Sequence, residues 1–460
     1  MVEGREKPMA KEIKIIRSSQ RQASSDNRSF RFADSAVRLA QSEPEISSTR
    51  ERAQKLFTEG QIPQKTEEAW RRTPLDHLDG SKFTLFENGK NEQGSIVPEE
   101  LMNPLGDETQ AGQILLHHNK VEKKLSAGLA EKGIIFTDLK DAELNHAEKL
   151  NKIFGKFVKP EDGYFAAMAL AYAQTGIFVY IPKNVHVEQP LHSVLWTDHA
   201  EEALISHILV YLDDGASLTY VHEVSSSTVL EGDLFHDGNV EIFVGKHANL
   251  KFVELQSWGK NVLNFTHERA SIDQDGQLEW VFGAVGSKLT KNFTDVDLNG
   301  RGSSAKVSGF YFTNGSQHLD LDTQQNHLAP DTTSDLLYKG ALLDESRSVW
   351  QGMVYVSPDA SKTDGYQTNR NLVLGKNARA DAIPGLEILT DDVRCSHAAT
   401  VGKIDATQTF YLESRGIPKM DAAKLVVEGF FDDIMQRIPF EGIRQRFQDA
   451  IHEKMKTFQL

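Results

Sequence analysis

The chain's only cysteine, Cys395, stands two positions before an imidazole in the run Asp391-Asp392-Val393-Arg394-Cys395-Ser396-His397. Residues two apart on a strand project to the same side, so a thiol and an imidazole would share one face there. A thiolate and a neutral imidazole both ligate iron. Arg394 favours the thiolate and Asp391 and Asp392 oppose it, which leaves the direction of the thiol's pKa shift open. From spacing alone a buried structural cysteine is the favoured reading. One cysteine cannot form an intrachain disulfide, nor supply the four thiolates of a zinc or iron-sulfur site.

Other residue types offer weaker patterns. Asp295/Asp297 and Asp320/Asp322 alternate with other residues and would put each carboxylate pair on one strand face, an arrangement able to do acid-base chemistry. The more economical reading is hydrogen bonding along turns or a solvated strand face. The 16 histidines, among them His207, His222, His236, His267, His318, His327 and His397, show no spacing specific to a metal. No phosphate-cradling G-x-x-x-x-G-K-[ST] run occurs, and Gly283-Ala-Val-Gly-Ser-Lys288 has the wrong spacing for one. The serine-hydrolase G-x-S-x-G and the zinc-protease H-E-x-x-H are absent as well. Nucleotide hydrolysis by this chain is therefore not expected.

These residues need elements to hold them. With 39% hydrophobic and 25% charged residues over 460 positions, the composition is that of a soluble globular protein of two or three units. The net charge of −15 repels phosphate backbones and anionic lipid, so neither nucleic acid nor membrane is an expected partner. The first 30 residues mix Glu3, Arg5, Glu6, Lys7 and Arg17 with no apolar run, which reads as no signal peptide and a cytoplasmic location. Residues 1–45 read as a mobile tail and 46–175 as a mainly helical N-terminal domain. Phe165, Met168, Ala169 and Tyr172 fall at helical spacing, then Gln174-Thr175-Gly176 breaks the pattern before the strand-like Ile177–Ile181.

Residues 176–417 change texture to short strands behind similar turns at Asp214, Lys246, Asp275 and Gly302, 27 to 32 residues apart. That interval fits one coil of a β-solenoid, in which each coil buries its apolar face only against the next. The fold class is mainly β, with helical flanks. In residues 418–460, Ala422, Leu425, Val426, Gly429 and Phe430 make one helical stripe, and Phe440, Ile443, Phe447, Ile451, Met455 and Phe458 make another beyond Pro439. These stripes either cover a solenoid end or dock a partner.

The stretch Ala380–Gly402, with Gln317-His-Leu-Asp320, Thr323, His327, Ser346–Gly352, Lys362–Tyr366, Asn369-Arg-Asn371 and Phe410–Ile417, resembles the SufB/SufD family of iron-sulfur cluster assembly proteins over roughly residues 165 to 435. Glu68-Ala-Trp-Arg-Arg-Thr-Pro-Leu75 and the single cysteine resemble its SufD branch. The resemblance implies a right-handed parallel β-helix and a non-catalytic scaffold subunit that pairs with a SufB-like paralogue. It implies docking of a SufC-like ABC ATPase through the C-terminal helices, which puts the missing phosphate loop on another polypeptide. It also implies a transient iron-sulfur cluster shared with SufB, with His397 as the leading ligand and Cys395 a less certain one, and leaves room for a homodimer of the chain alone. Ala398 stands where the family has glycine. Two other readings stay in view: a β-helix carbohydrate-active lyase or hydrolase, and a metalloenzyme built on the scattered histidines.

Overall fold

Each coil of the β region turns on a residue with a left-handed backbone, and the turns bond to one another. In the computed structural model, which describes residues 30–33, 43–85, 97–102, 110–117, 120–228, 231–438, 440–456 and 458, Asn184, Gly215, His247, Asp275, Gly302, Asp331 and Lys362 have φ between 53° and 73°. Each donates its backbone N–H to a carbonyl of the next turn, as Gly215 does to Lys246 at 2.7 Å and Lys362 to Asp392 at 2.6 Å. Only two of these seven are glycine, and Asn, Asp and His tolerate the conformation better than most residues. The ladder holds the rest in it, so the repeat seen in the sequence is a stack of turns.

Between the turns, successive strands alternate between two ten-stranded sheets. From Thr175–Ile181 onward the strands of each sheet are parallel and in continuous register. The first sheet ends with Arg379–Ile388 and the second with Val393–Gly402. At the N-terminal end the pattern breaks into antiparallel pairs, Ile135–Asp138 on Thr175–Ile181 and Lys120–Leu125 on Gly112–His117. Inward residues of both sheets make one apolar core that includes Leu218, Tyr220, Phe252, Trp280, Leu336 and Trp350.

The helical flanks cover the two outer faces of this solenoid. Pro44–Glu59 and Tyr164–Tyr172, the latter buried along its length, pack with Trp70 and Phe30 on Phe178, Leu209, Phe235 and Phe265 of the first sheet. Buried Arg50 is held by Glu143 and donates to the carbonyls of Leu170, Ala171 and Ala173. The tail expected over residues 1–45 does not describe Phe30, which is buried and donates its N–H to the Tyr164 hydroxyl at 3.1 Å; residues 1–29 and 34–42 lie outside the described residues.

Lys419–Met435 and Glu441–Met455 lie on the second sheet, with Ala423, Val427, Phe431, Phe447 and Ile451 against Val221, Val253, Val281, Phe310 and Phe312. They thus cover a sheet face and not a solenoid end, because outward-facing apolar residues of the second sheet already form a stripe of matching length. Arg446 bonds both oxygens of buried Glu223 at 2.7 and 2.6 Å, and Lys339 reaches the Phe430 carbonyl at 2.7 Å. No helix among the described residues is long and apolar enough to cross a membrane.

Candidate functional site

The C-terminal end of the solenoid is uncovered among the described residues. Among the described residues, Arg379–Ile388 and Val393–Gly402 each pair with a sheet neighbour on one side only. Val401 is 50% exposed, Leu389 50% and Tyr366 39%. A ten-residue open edge with apolar side chains is a surface that proteins cover or blunt.

His397 lies on this edge, in register with Gln367 of the coil beneath. The column continues through Leu336, Val307, Trp280, Phe252 and Tyr220, all inward positions, so His397 ends an interior column that turns from apolar to polar in its last two members. Gln367 is buried and donates to the Gly385 carbonyl at 2.8 Å. With no coil beyond it, His397 is exposed to solvent.

Cys395 ends the neighbouring inward column, opposite Gly365, so the thiol and the imidazole do share one strand face. The thiol is half-buried against Val354, Val356 and Ala360. A Cβ added to Gly365 would lie 3.3 Å from both Cys395 Sγ and His327 Nε2; the missing side chain is what makes room for the thiol. Burial pushes the Cys395 thiol up, a Gly365 backbone contact opposes this, and Asp364 adds to the rise. The open sign is thereby settled toward the neutral thiol. Sequence reading missed Gly365 and Gln367 as supports, although both lie one coil of about 30 residues before the residues they hold, inside or beside the Lys362–Tyr366 motif.

His207, His236 and His327 are held by side-chain hydrogen bonds. His207 bonds Glu241 at 2.9 Å, and His236 lies between Ser206 and Asn264. His327 is bracketed by the Thr332 and Ser334 hydroxyls at 2.8 and 2.9 Å. Burial lowers His222 and His267 to about 3 and His236, His318 and His327 to about 4, so all are neutral at ordinary pH. Among the described residues no group of three or more His, Cys, Asp and Glu is placed to hold a metal. The aspartate pairs are tied into ion pairs and hydrogen bonds: Lys291 clamps Asp320 at 3.0 Å and Asp322 at 2.9 Å, Asp295 is held by Arg269, and Asp297 accepts from Asn326.

Two family models match the chain: "SUF system FeS cluster assembly, SufBD core domain" over residues 195–430 and "SufBD protein N-terminal region" over residues 30–192. The chain belongs to the SufBD family. It is SufD-like: it is 31% identical to the iron-sulfur cluster assembly protein SufD of Bacillus subtilis (strain 168), over 83% of this chain and 91% of that protein. An iron-sulfur cluster assembly SufBD family protein of Staphylococcus epidermidis is 30% identical over 80% of this chain and 78% of its own length. One from Staphylococcus aureus (strain USA300) is 31% identical over 75% and 73%. The β-solenoid with helical flanks is thus the fold of a SUF-system iron-sulfur cluster assembly protein.

Proposed function

We propose that this SufBD chain is the scaffold subunit of a SufB–SufC–SufD complex, pairing through its open terminal coil with a SufB-like paralogue. The observation that carries this reading is the exposed His397 on an edge with no further coil. A second solenoid docked there would satisfy the free backbone groups of Val393–Gly402 and bring its own ligands to the imidazole. The nascent iron-sulfur cluster is cargo, held transiently between the subunits. His397 offers a ring nitrogen to iron, SufB and the cluster's sulfide complete the ligand set, and Cys395, protonated and half-buried, is the weaker ligand. The same edge would let the chain form a homodimer when alone.

The chain acts in the cytoplasm and catalyses no turnover of its own. A SufC-like ABC ATPase supplies ATP hydrolysis, and its dimerisation moves the SufB–SufD pair and exposes the interface ligands. Residues 418–460 form its docking region. Leu425 on Lys419–Met435, 46% exposed, is one apolar contact point there, and Phe410 and Tyr411 on the preceding short helix Ala406–Glu413, 70% and 54% exposed, extend the surface.

The test is anaerobic co-expression with SufB-like and SufC-like partners, followed by native mass and iron and sulfide content. The expected result is a heteromer that holds iron and sulfide, with His397→Ala lowering cluster yield while assembly and ATP hydrolysis persist. Equal yield in the variant would sink the assignment of His397.

A further inference from the structure

The cleft of about 550 Å³ on the outer face of the first sheet, lined by Phe293, Met353 and Ile383 among others, has its carboxylates already paired. Asp322 is held by Lys291 and Gln351, Asp162 and Asp295 by Arg269, and Glu68 by Arg71 and Arg72. Uncompensated charge lies inside the solenoid instead. Glu254 on the second-sheet strand Asn249–Ser257 and Glu268 on the first-sheet strand Val262–Ile272 both point inward, since Glu254 is two residues after core Phe252 and Glu268 two before core Ala270. They are 5% and 2% exposed, and their carboxyl groups are in hydrogen-bond contact across the core.

Two touching carboxyls in a low-dielectric interior do not both ionise unless a cation compensates them. No lysine or arginine lines the hollow of about 20 Å³ beside the pair, which has room for about one water. The titratable groups that face the pair are His222 and His236 in the wall of the hollow and Tyr220 and Tyr338 at neighbouring inward positions. Burial lowers both imidazoles and raises both phenols, so all four are neutral at ordinary pH and none supplies the missing positive charge.

The two glutamates are not equivalent. Asn292 donates to one oxygen of Glu268 and Thr294 to the other at 2.9 Å, whereas Oε2 of Glu254 is buried with no donor bonded to it. Burial raises both carboxyls; the charge of Glu268 raises Glu254 further, while Thr294, Thr266 and Asn292 hold Glu268 down. The negative charge therefore belongs on Glu268 and the proton on Glu254. We propose that Glu254 and Glu268 share this one proton and form an alkali-sensitive clasp between the two sheets, which holds their coils together and loosens them when the proton leaves. The strand that carries Glu254 inward carries Val253 and Leu255 outward beneath the C-terminal helices, so the clasp lies directly under that helical cover. The proposal does not depend on the cluster-assembly reading.

The sign follows from linkage. A carboxyl whose folded pKa is raised contributes stability that is complete below its unfolded value of about 4.5 and is lost as pH climbs through the folded value. Glu254→Gln keeps the shape of the side chain and gives Glu268 an N–H that cannot be titrated. Unfolding the full chain in urea at about pH 8, with the released protons counted, should yield one proton per chain more from the wild type than from the variant. The unfolding constant of the wild type should then rise about tenfold more per pH unit between about pH 7.5 and about pH 9. Infrared spectra in heavy water at about pH 8 should show a protonated carboxyl band that weakens in Glu254→Gln, the remainder belonging to Asp237, which burial also raises. Equal proton release from the two proteins, or an unchanged band in folded Glu254→Gln, would overturn the proposal. So would a wild-type spectrum without the band, a result that needs no variant to fold.

Discussion

Gln367 and His397 occupy the same inward position on neighbouring strands of the second sheet, yet one is buried and the other exposed because the solenoid stops between them and solvent. Substitution should separate their roles. His397→Ala removes no buried contact and should change folding stability by less than about 0.5 kcal/mol. Gln367→Ala takes a donor from the Gly352 and Gly385 carbonyls and should cost about 1–3 kcal/mol. Urea unfolding of the two variants checks this; a larger loss for His397→Ala would mean that the imidazole is a structural group.

The thiol of Cys395 should be slow to alkylate. Iodoacetamide reacts with thiolate, and burial holds this thiol above its usual range. Its rate near pH 8 should fall below that of a free cysteine peptide and rise only at more alkaline pH. Because the folded pKa is raised, the associated stability is full below the unfolded pKa and is lost as pH climbs through the folded one. Asp364→Asn removes a charge that disfavours the thiolate and should speed alkylation. A rate equal to the free peptide's at pH 8 would contradict the buried placement.

A docking surface made of Phe410, Tyr411 and Leu425 should matter for partner binding and little for folding. These side chains are the most exposed large apolar groups of the C-terminal helices. Phe410→Asp should shift stability by less than about 0.5 kcal/mol and weaken capture of a SufC-like ATPase at least tenfold in a co-purification titration. Unchanged capture would move the docking site elsewhere on the helices.

The solenoid was legible because its turns repeat locally: Asp214, Lys246, Asp275 and Gly302 mark coils within a short window. The shared face of Cys395 and His397 was legible for the same reason, since strand alternation is a local rule. The sign of the thiol shift was not, because Gly365 and Asp364, which decide it, lie a full coil away and meet Cys395 only through register. Phe293, Met353 and Ile383 line one cleft from three different coils, and no sequence window contains them together. Of the two readings of the C-terminal helices, covering a solenoid end was the wrong one, because amphipathic stripes reveal that an apolar face exists and not which surface receives it.

Glu223 and Arg446 fasten that surface, and their pairing should show in the pH dependence of stability. Glu223 is buried, receives both contacts from Arg446 and bonds His192 at 2.8 Å. Although burial alone would raise the carboxyl, Arg446 and His192 outweigh it and hold the pKa below the ordinary value. A depressed carboxylate contributes stability that is present above its unfolded pKa of about 4.5 and disappears as pH falls through the lower folded value. Arg446→Ala leaves the buried carboxylate with His192 alone, and breaking such a pair from one side costs about 3–5 kcal/mol. The loss should be largest at pH 7 and shrink below pH 4.5, where the unfolded carboxyl is protonated and a neutral Glu223 no longer needs the guanidinium. Urea unfolding of both proteins at pH 7 and pH 4 measures it. A difference that is the same at both pH values would show that Arg446 holds the helix Glu441–Met455 by packing and not by its charge.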